Sequence, residues 1–211
     1  MKNMREASQK SSEALKTRTP KRQRGHERVV ILLEAAAKVF ARKGYDAATM
    51  TEIAAEAHSS IGSLYQFFPT KPLLAEALHI ERLERLKAGL RDMAERSTGL
   101  SAADSGEAIF DALSAFMDEY PEFSVLAGRR DIPKERKARS RAELKELIAG
   151  VLRRAQPPIS DDIALMSGIV LELLRIVVAI AAEPDAAEDR RVAGELRLML
   201  RKRLEEAAAK G

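Results

Sequence analysis

Residues 49–71 encode two short helices, each with its own N-terminal cap, joined by a polar turn. Thr49 and Glu52 stand three positions apart, the spacing of a capping box in which each side chain accepts a hydrogen bond from the other residue's backbone N–H. Ser60 is a second N-cap residue, and Pro69 ends the helix that Ser60 begins. A short capped helix, a turn and a second capped helix predict a helix-turn-helix, a motif that enters the DNA major groove.

Helical periodicity dominates the rest of the chain. Apolar residues recur at helical spacing from Val29 to Phe40, and Gly44 ends that first helix. The predicted fold class is all-α, with an N-terminal three-helix helix-turn-helix headpiece and a C-terminal helical domain. We expect a long helix at residues 71–96, a loop at 97–106, and further helices at 108–120, 121–127, 133–156, 163–183 and 185–210.

Several anchors around the turn resemble the TetR family of bacterial transcriptional regulators. These anchors are Phe40, Ala41, Lys43, Gly44, Tyr45, Thr49, Ile53, Ala54, residues 61–69 and Lys71. The resemblance covers residues 28–75. It implies a dimer that binds a near-palindromic operator in double-stranded DNA and responds to a small-molecule effector.

Positive charge is concentrated at the N-terminus. Residues 1–24 hold eight Lys or Arg and two Glu, whereas residues 25–72 hold five basic and five acidic residues. We predict a flexible basic arm at 1–24, a DNA-binding domain at 25–72 and a ligand-binding and dimerisation domain at 73–211. Arg22 and Arg24 of the arm either track a DNA minor groove or form part of a solvated tail.

The predicted recognition helix begins after Ser60. Gln66 has the geometry for a bidentate contact with adenine, and Ile61 for a contact with a thymine methyl. Tyr65 either donates its hydroxyl to a phosphate or ties the headpiece together. Lys71, at the start of the long helix, is predicted to bind a phosphate. The full predicted set is Thr49, Thr51, Ser60, Ile61, Gly62, Ser63, Tyr65, Gln66, Lys71, Arg22 and Arg24.

Two residues in the turn depart from the family pattern. His58 stands where the family usually has glycine, so a positive φ there costs of order 1 kcal/mol. Ser59 replaces a small aliphatic residue, at a cost of about 1 kcal/mol in lost burial. Both substitutions leave the predicted DNA contacts in place.

The C-terminal region supplies candidates for an effector pocket, which the resemblance implies. Glu172, a charge in the most apolar helix, either pairs with Arg175 or faces a polar ligand group. The candidate lining residues are Phe110, Leu113, Phe116, Met117, Phe123, Met166, Glu172 and Leu173.

Residues 163–183 carry apolar side chains on two sides of one helix, so two partners must cover that helix. We predict a four-helix dimer interface formed with the last helix, in which Val192, Leu196, Met199 and Leu204 also face inward. The candidate interface residues are Ile169, Val170, Leu174, Val177, Ile180, Leu196 and Met199.

The chain has no cysteine, and His26, His58 and His79 show no metal-ligand spacing. We therefore expect no enzyme, no cofactor and no metal. The longest uninterrupted apolar run, residues 176–182, is short for a membrane span, so the expected location is the cytoplasm. The predicted function is a transcriptional repressor released by a ligand. The alternatives are a helical dimer acting through protein contacts and a small-molecule-binding protein that no longer reads DNA.

Overall fold

The computed structural model describes residues 2–129, 132–159, 162–182 and 186–209, and for residues 2–22, 186, 187 and 189 it describes only the backbone. Every element in these residues is helical, which confirms the all-α class. The chain forms two compact units, Met1–Ala75 and Glu76–Gly211. The helices are α1 (Lys2–Ala47), α2 (Met50–Glu56), α3 (Ile61–Phe67), α4 (Lys71–Arg96), α5 (Ala102–Glu119), α6 (Glu122–Ala127), α7 (Lys134–Leu152), α8 (Ile163–Ile180) and α9 (Ala186–Ala209).

The backbone of α1 is helical from Lys2, which differs from the flexible arm predicted for residues 1–24. Lys, Arg, Glu, Gln, Ala and Leu outnumber the Ser and Thr in this segment, and all six residue types favour a helix. The predicted end of the helix is confirmed. Gly44 leaves the helical conformation with φ 75°, a left-handed value that glycine adopts without strain.

The headpiece core forms where α1 packs against α2 and α2 against α3. Leu32 and Phe40 of α1, Ile53 of α2 and Leu64 of α3 are all fully buried. Burying each large apolar side chain contributes roughly 1.5–3 kcal/mol. This shared core fixes the orientation of α3 within the headpiece.

The turn between α2 and α3 is a Schellman motif. The Ser59 N–H donates to the Ala54 carbonyl at 2.9 Å, and the His58 N–H donates to the Ala55 carbonyl at 3.0 Å. His58 has φ 48°, a left-handed value that costs a residue other than glycine of order 1 kcal/mol. The Ser59 hydroxyl accepts a hydrogen bond from the Arg28 guanidinium. The turn is therefore closed by regular hydrogen bonds even though it lacks glycine.

In the second unit α5 packs on α9 and α7 packs on α8. Gly106 of α5 is buried against α9, where a Cβ atom would overlap the Leu204 side chain. The loop predicted at residues 97–106 is wrong in its second half, because α5 begins at Ala102. Ser101 caps that helix by accepting a 3.0 Å hydrogen bond from the Asp104 N–H.

Asp162 caps α8 and accepts hydrogen bonds from the Ala164 and Leu165 N–H groups. Among the described residues, α8 alone has the length and hydropathy that a membrane span requires. The sequence analysis missed this because it counted only uninterrupted apolar residues, and Glu172 and Arg175 divide the helix. One face of α8 is buried against the unit's own core, and a core helix of this composition meets the same test.

The buried stripe of α9 agrees with the predicted one in part. Leu204 is buried and Leu196 is half-buried against the core, as predicted, whereas Val192 and Met199 are exposed. The buried residues Leu200, Leu204 and Ala207 follow each other at spacings of four and three residues, as one face of a helix requires.

Candidate nucleic-acid interface and ligand cavity

Helix α3 presents one face to the headpiece core and the other to solvent. Leu64 is fully buried, whereas Ile61, Tyr65 and Gln66 are exposed. The Tyr65 side chain is 47% exposed, so tying the headpiece together is not its main role. These three exposed residues lie at spacings of one, four and five positions, on adjoining parts of a helical surface.

Gly62 lies on the same exposed face. A Cβ atom added there would meet nothing within 4 Å. The packing of the headpiece therefore does not require glycine at this position. Glycine in a helix is destabilising by roughly 1 kcal/mol relative to alanine. Close approach of another molecule to the helix backbone is one reason for a helix to contain glycine at such a position.

Thr49 and Ser60 cap the two helices as predicted. The Thr49 hydroxyl accepts from the Glu52 N–H at 3.2 Å, and the Glu52 carboxylate accepts from the Thr49 N–H at 3.1 Å. The Ser60 hydroxyl accepts from the Ser63 N–H at 3.1 Å. Thr51 is exposed on α2 and Ser63 is half-buried. The Thr49 and Ser60 hydroxyls therefore both accept hydrogen bonds from backbone N–H groups at the helix N-termini.

Lys71 is placed differently from its predicted phosphate role. Its ammonium donates to the backbone carbonyls of Tyr45, Asp46 and Ala48 at 2.9, 3.1 and 2.9 Å. It also lies 4.6 Å from the centre of the Tyr45 ring. Because an ammonium has three N–H donors, these contacts use all of them. Lys71 therefore binds backbone carbonyls at the C-terminal end of α1, in place of the predicted phosphate.

Most of the headpiece cations are paired with carboxylates of α2. Lys43 pairs with Glu52, and Arg42 pairs with Glu56 at 3.2 Å. The hydrogen bond from Lys43 lowers the pKa of Glu52, and the one from Arg42 lowers the pKa of Glu56. Arg24 is exposed on α1, and the side chain of Arg22 lies outside the described residues.

The second unit encloses a cavity of about 650 Å³. Of the predicted ligand-binding residues, Leu113 and Phe123 line it. Phe110 and Met117 instead line a separate cavity of about 360 Å³. The larger cavity is bordered by helices α4, α5, α6, α7 and α8, so packing between helices decides which residues face it.

The four other predicted ligand residues lie outside the lining of both cavities. Met166 is fully buried in the core, and Leu173 is half-buried. Phe116 packs edge-on against Phe123, with ring centres 5.2 Å apart. Glu172 accepts from Arg175 at 2.8 Å and pairs with Arg141 at 2.7 Å, so ion pairing accounts for its charge.

His79 is the cavity residue that sequence reasoning missed. It stacks on Phe123, with ring centres 5.5 Å apart and planes 18° apart. Burial, together with the positive charges of Arg129 and Lys137, lowers the pKa of His79 to about 4. The available signal was its spacing with Leu83, Leu86 and Leu90, which share its face of α4 and also line the cavity.

The predicted dimer residues divide between two faces of the C-terminal unit. Val170, Leu174 and Val177 are buried in the unit's own core, so their assignment to a dimer interface is wrong. Met199 is exposed, and three others are half-buried: Ile169, Ile180 and Leu196. Leu165, Ile176, Val192 and Leu198 are further exposed apolar residues of α8 and α9. Val192 was predicted to face inward, and the other three were not among the candidate interface residues. Helix α8 carries apolar residues on two faces, as predicted, but the predicted interface set included residues from both the buried face and the exposed face.

The three-helix headpiece, with a capped second helix, a Schellman turn and a capped third helix, defines a helix-turn-helix protein. The family profile "Bacterial regulatory proteins, tetR family" matches residues 32–78, and the profile "Tetracyclin repressor-like, C-terminal domain" matches residues 101–204. The chain belongs to the TetR family of transcriptional regulators. The N-terminal and C-terminal parts of the chain thus both match models of the same family of regulators.

Similar proteins were found both by sequence and by structure. The HTH-type transcriptional repressor NicS of Pseudomonas putida is 29% identical over 146 residues, which span 64% of this chain and 66% of NicS. A TetR-family regulator from Streptomyces coelicolor is 26% identical, with a TM-score of 0.63 over 85% of this chain and 99% of that one. A TetR regulator from Haloarcula marismortui shares the fold at 17% identity, with a TM-score of 0.67 over 86% and 98% of the two chains.

Proposed function

We propose that this chain is a dimeric transcriptional repressor that binds a near-palindromic DNA operator and leaves it when a small molecule fills the 650 Å³ cavity. The observation that carries the proposal is the solvent face of α3. Tyr65 and Gln66 are exposed there beside the bare backbone of Gly62, while Leu64 anchors the helix from the opposite side. A recognition helix needs one face that is fixed by packing in the core and an opposite face that is accessible to the DNA major groove.

Specific recognition is assigned to Gln66 and Ile61, with Tyr65 on a phosphate. Thr49, Thr51, Ser60 and Ser63 supply further hydroxyls near the same face. The closed Schellman turn supports this reading over a headpiece that has lost its DNA role, because His58 and Ser59 leave the turn intact. The protein-contact alternative remains as an outcome of the experiment.

Phosphate neutralisation is assigned to the basic segment 1–24. Lys43 and Arg42 are occupied by carboxylates of α2, and Lys71 is occupied by carbonyls. Residues 25–72 hold five basic and five acidic residues, so this headpiece needs another source of positive charge, because neutralised phosphates supply most of the non-specific affinity for DNA. Deleting residues 1–24 should flatten the dependence of affinity on salt. An unchanged slope would exclude this role for Arg22 and Arg24.

The first experiment selects bound duplexes from a random DNA library at near-physiological salt. An enriched palindrome supports a sequence-specific dimer, and retention without enrichment leaves only backbone binding. On the selected operator, Gln66→Ala should relax the preference at one base position, whereas Tyr65→Phe should weaken binding to all sequences alike. Gln156→Ala, at an exposed glutamine of the second unit, is the matched control and should change neither.

Gly62→Ala separates folding from recognition. Alanine is favoured over glycine in a helix by roughly 1 kcal/mol, and the structure leaves room for the added methyl, so the variant should be at least as stable as the parent. It should nevertheless bind the operator more weakly, because the methyl stands between the helix backbone and the groove. Unchanged operator affinity would argue against close approach at this residue.

Dimerisation is assigned to the outer faces of α8 and α9. Ile176, Leu198 and Met199 are exposed apolar residues there, and contiguous exposed apolar surface is a feature of oligomer interfaces. Ile176→Glu should convert the dimer to a monomer in sedimentation velocity. Val30→Glu is the matched control, since Val30 has the same exposure on α1 and should leave the dimer intact. A dimeric Ile176→Glu variant would place the interface elsewhere.

The expected location is the cytoplasm, where a regulator meets DNA. One side of the apolar helix α8 packs on the unit's own core, and the proposed dimer would cover the other side. Family relatives are transcriptional regulators, and catalysis forms no part of the proposed function.

A further inference from the structure

The large cavity combines an apolar interior with a basic boundary. Leu83, Leu90 and Ile148 are among its buried apolar residues. Its lining includes no carboxylate among the described residues, but it includes five cationic side chains. These are Arg129, Arg136, Lys137, Arg141 and Arg175. Such an asymmetry of charge favours an anion over a neutral or cationic ligand.

Neighbouring carboxylates balance only part of this charge. Arg136 pairs with Glu76, while Arg141 and Arg175 share the single carboxylate of Glu172. Two carboxylates therefore serve three arginines. The Lys137 ammonium donates to the Arg129 backbone carbonyl at 2.9 Å, an acceptor without formal charge. Positive charge at this boundary exceeds negative charge even with Arg129 left out of the comparison.

The positive potential reaches into the cavity. His79 lines the wall, and the charges of Arg129 and Lys137 both disfavour its protonation. The His79 Nδ1 atom is buried and forms no hydrogen bond with any described residue. A buried polar atom without a protein partner is rare. The neutral imidazole thus offers a polar contact beside the buried apolar residues of the cavity.

We propose that the cavity binds an amphipathic organic anion, with the anionic head group at Lys137 and Arg175 and the apolar body among the leucines of α4. The His79 imidazole contributes a hydrogen bond to a polar group within the body. This inference rests on the proposed function, because it names the chemical class of the effector. A cavity of about 650 Å³ lies within the range that binds molecules of drug size.

The test compares three probes of one chain length, decanoate, decanol and decyltrimethylammonium, by isothermal titration calorimetry on the full chain. Decanoate should bind at least about tenfold more tightly than decanol, and the cation more weakly than both. Decanol binding as tight as decanoate binding would overturn the proposal, as would the absence of saturable decanoate binding up to about 1 mM.

Lys137→Gln should weaken decanoate binding at least about fivefold and change decanol binding less than about twofold, since decanol does not use the charge. Arg139→Gln is the matched control, because Arg139 lies on the same helix but is 84% exposed and outside the cavity lining. Equal effects of the two variants would overturn the assignment. Arg175→Gln, at the other residue assigned to the head group, provides the same test if Lys137→Gln does not fold.

Calorimetry on the free protein separates this inference from the proposed function. If decanoate binds as described but no DNA sequence is enriched in the library selection, the ligand class stands and the repressor proposal fails. If an operator is enriched while decanol binds as well as decanoate, the repressor proposal stands and the ligand class is wrong. His79→Phe, which keeps the stacking on Phe123, should leave the preference for decanoate over decanol intact because the preference depends on the cations.

Discussion

A buried ion pair between α4 and α6 provides the most quantitative prediction. The Arg82 Nε atom donates to the Glu122 Oε1 atom at 2.7 Å, and the two side chains are 1% and 4% exposed. The Arg82 guanidinium also lies 4.4 Å from the centre of the Tyr120 ring and donates to Glu81 at 2.7 Å. The pair therefore joins two helices that border the cavity.

Removing one partner of a buried pair costs about 3–5 kcal/mol, because the remaining charge stays buried without compensation. Glu122→Gln should cost less than this range, since Glu81 still pairs with Arg82 and glutamine retains an acceptor oxygen. We expect a loss of about 2 kcal/mol in the free energy of unfolding. With a urea m-value of about 2 kcal/mol/M, the midpoint of unfolding should fall by about 1 M.

Circular dichroism in urea measures this midpoint, and Glu146→Gln is the matched control. Glu146 accepts from Arg153 at the same distance of 2.7 Å, but both side chains are more than half exposed. Its loss should leave the midpoint unchanged, because exposed ion pairs contribute little. The double variant Arg82→Met with Glu122→Leu should recover most of the loss, since no charge is left buried. Equal midpoints for Glu122→Gln and Glu146→Gln would refute the argument from burial.

Three further predictions concern single residues. The pKa of His79 is lowered from its ordinary 6.5 to about 4 in the folded chain, so the unfolded chain takes up the proton first as the pH falls. The free energy of unfolding should therefore decrease by about 2 kcal/mol between pH 7 and pH 5. Urea titrations of His79→Phe at the two pH values should lack this decrease. Lys71→Met should destabilise the headpiece by about 1–2 kcal/mol in thermal unfolding, since three carbonyls lose a charged donor; weaker DNA binding at unchanged stability would restore its phosphate role. His58→Gly should stabilise the chain by about 0.5–1 kcal/mol by relieving the positive φ, whereas a lower melting temperature would mean that the histidine side chain has a role of its own.

Local features of the headpiece were predictable because they depend on residues three to five positions apart. The Thr49–Glu52 capping box and the Ser60 cap are both confirmed. Each is decided by which side chain can reach the nearest unpaired backbone group. The all-α class was predictable for a similar reason, since helical periodicity is a local pattern.

Contacts between distant helices were less predictable. Leu113 and Phe123 line the large cavity, but Met166 is in the core and Phe110 lines another cavity. These four residues have similar sequence signals, because each is a large apolar residue in an amphipathic helix. Only the packing of the surrounding helices decides whether such a residue lines a cavity or is buried in the core.

Charged residues show the same division between sequence and structure. The spacing of Glu172 and Arg175 predicted their ion pair, which the structure contains. The three carbonyls around Lys71 lie more than twenty residues away from it, and no local pattern indicated them. The sequence by itself determined the helices, their caps and the turn, because those depend on short-range hydrogen bonds. The tertiary structure decided which apolar faces meet, which cations are already paired and which ones border the cavity, because those outcomes depend on residues that only folding brings together.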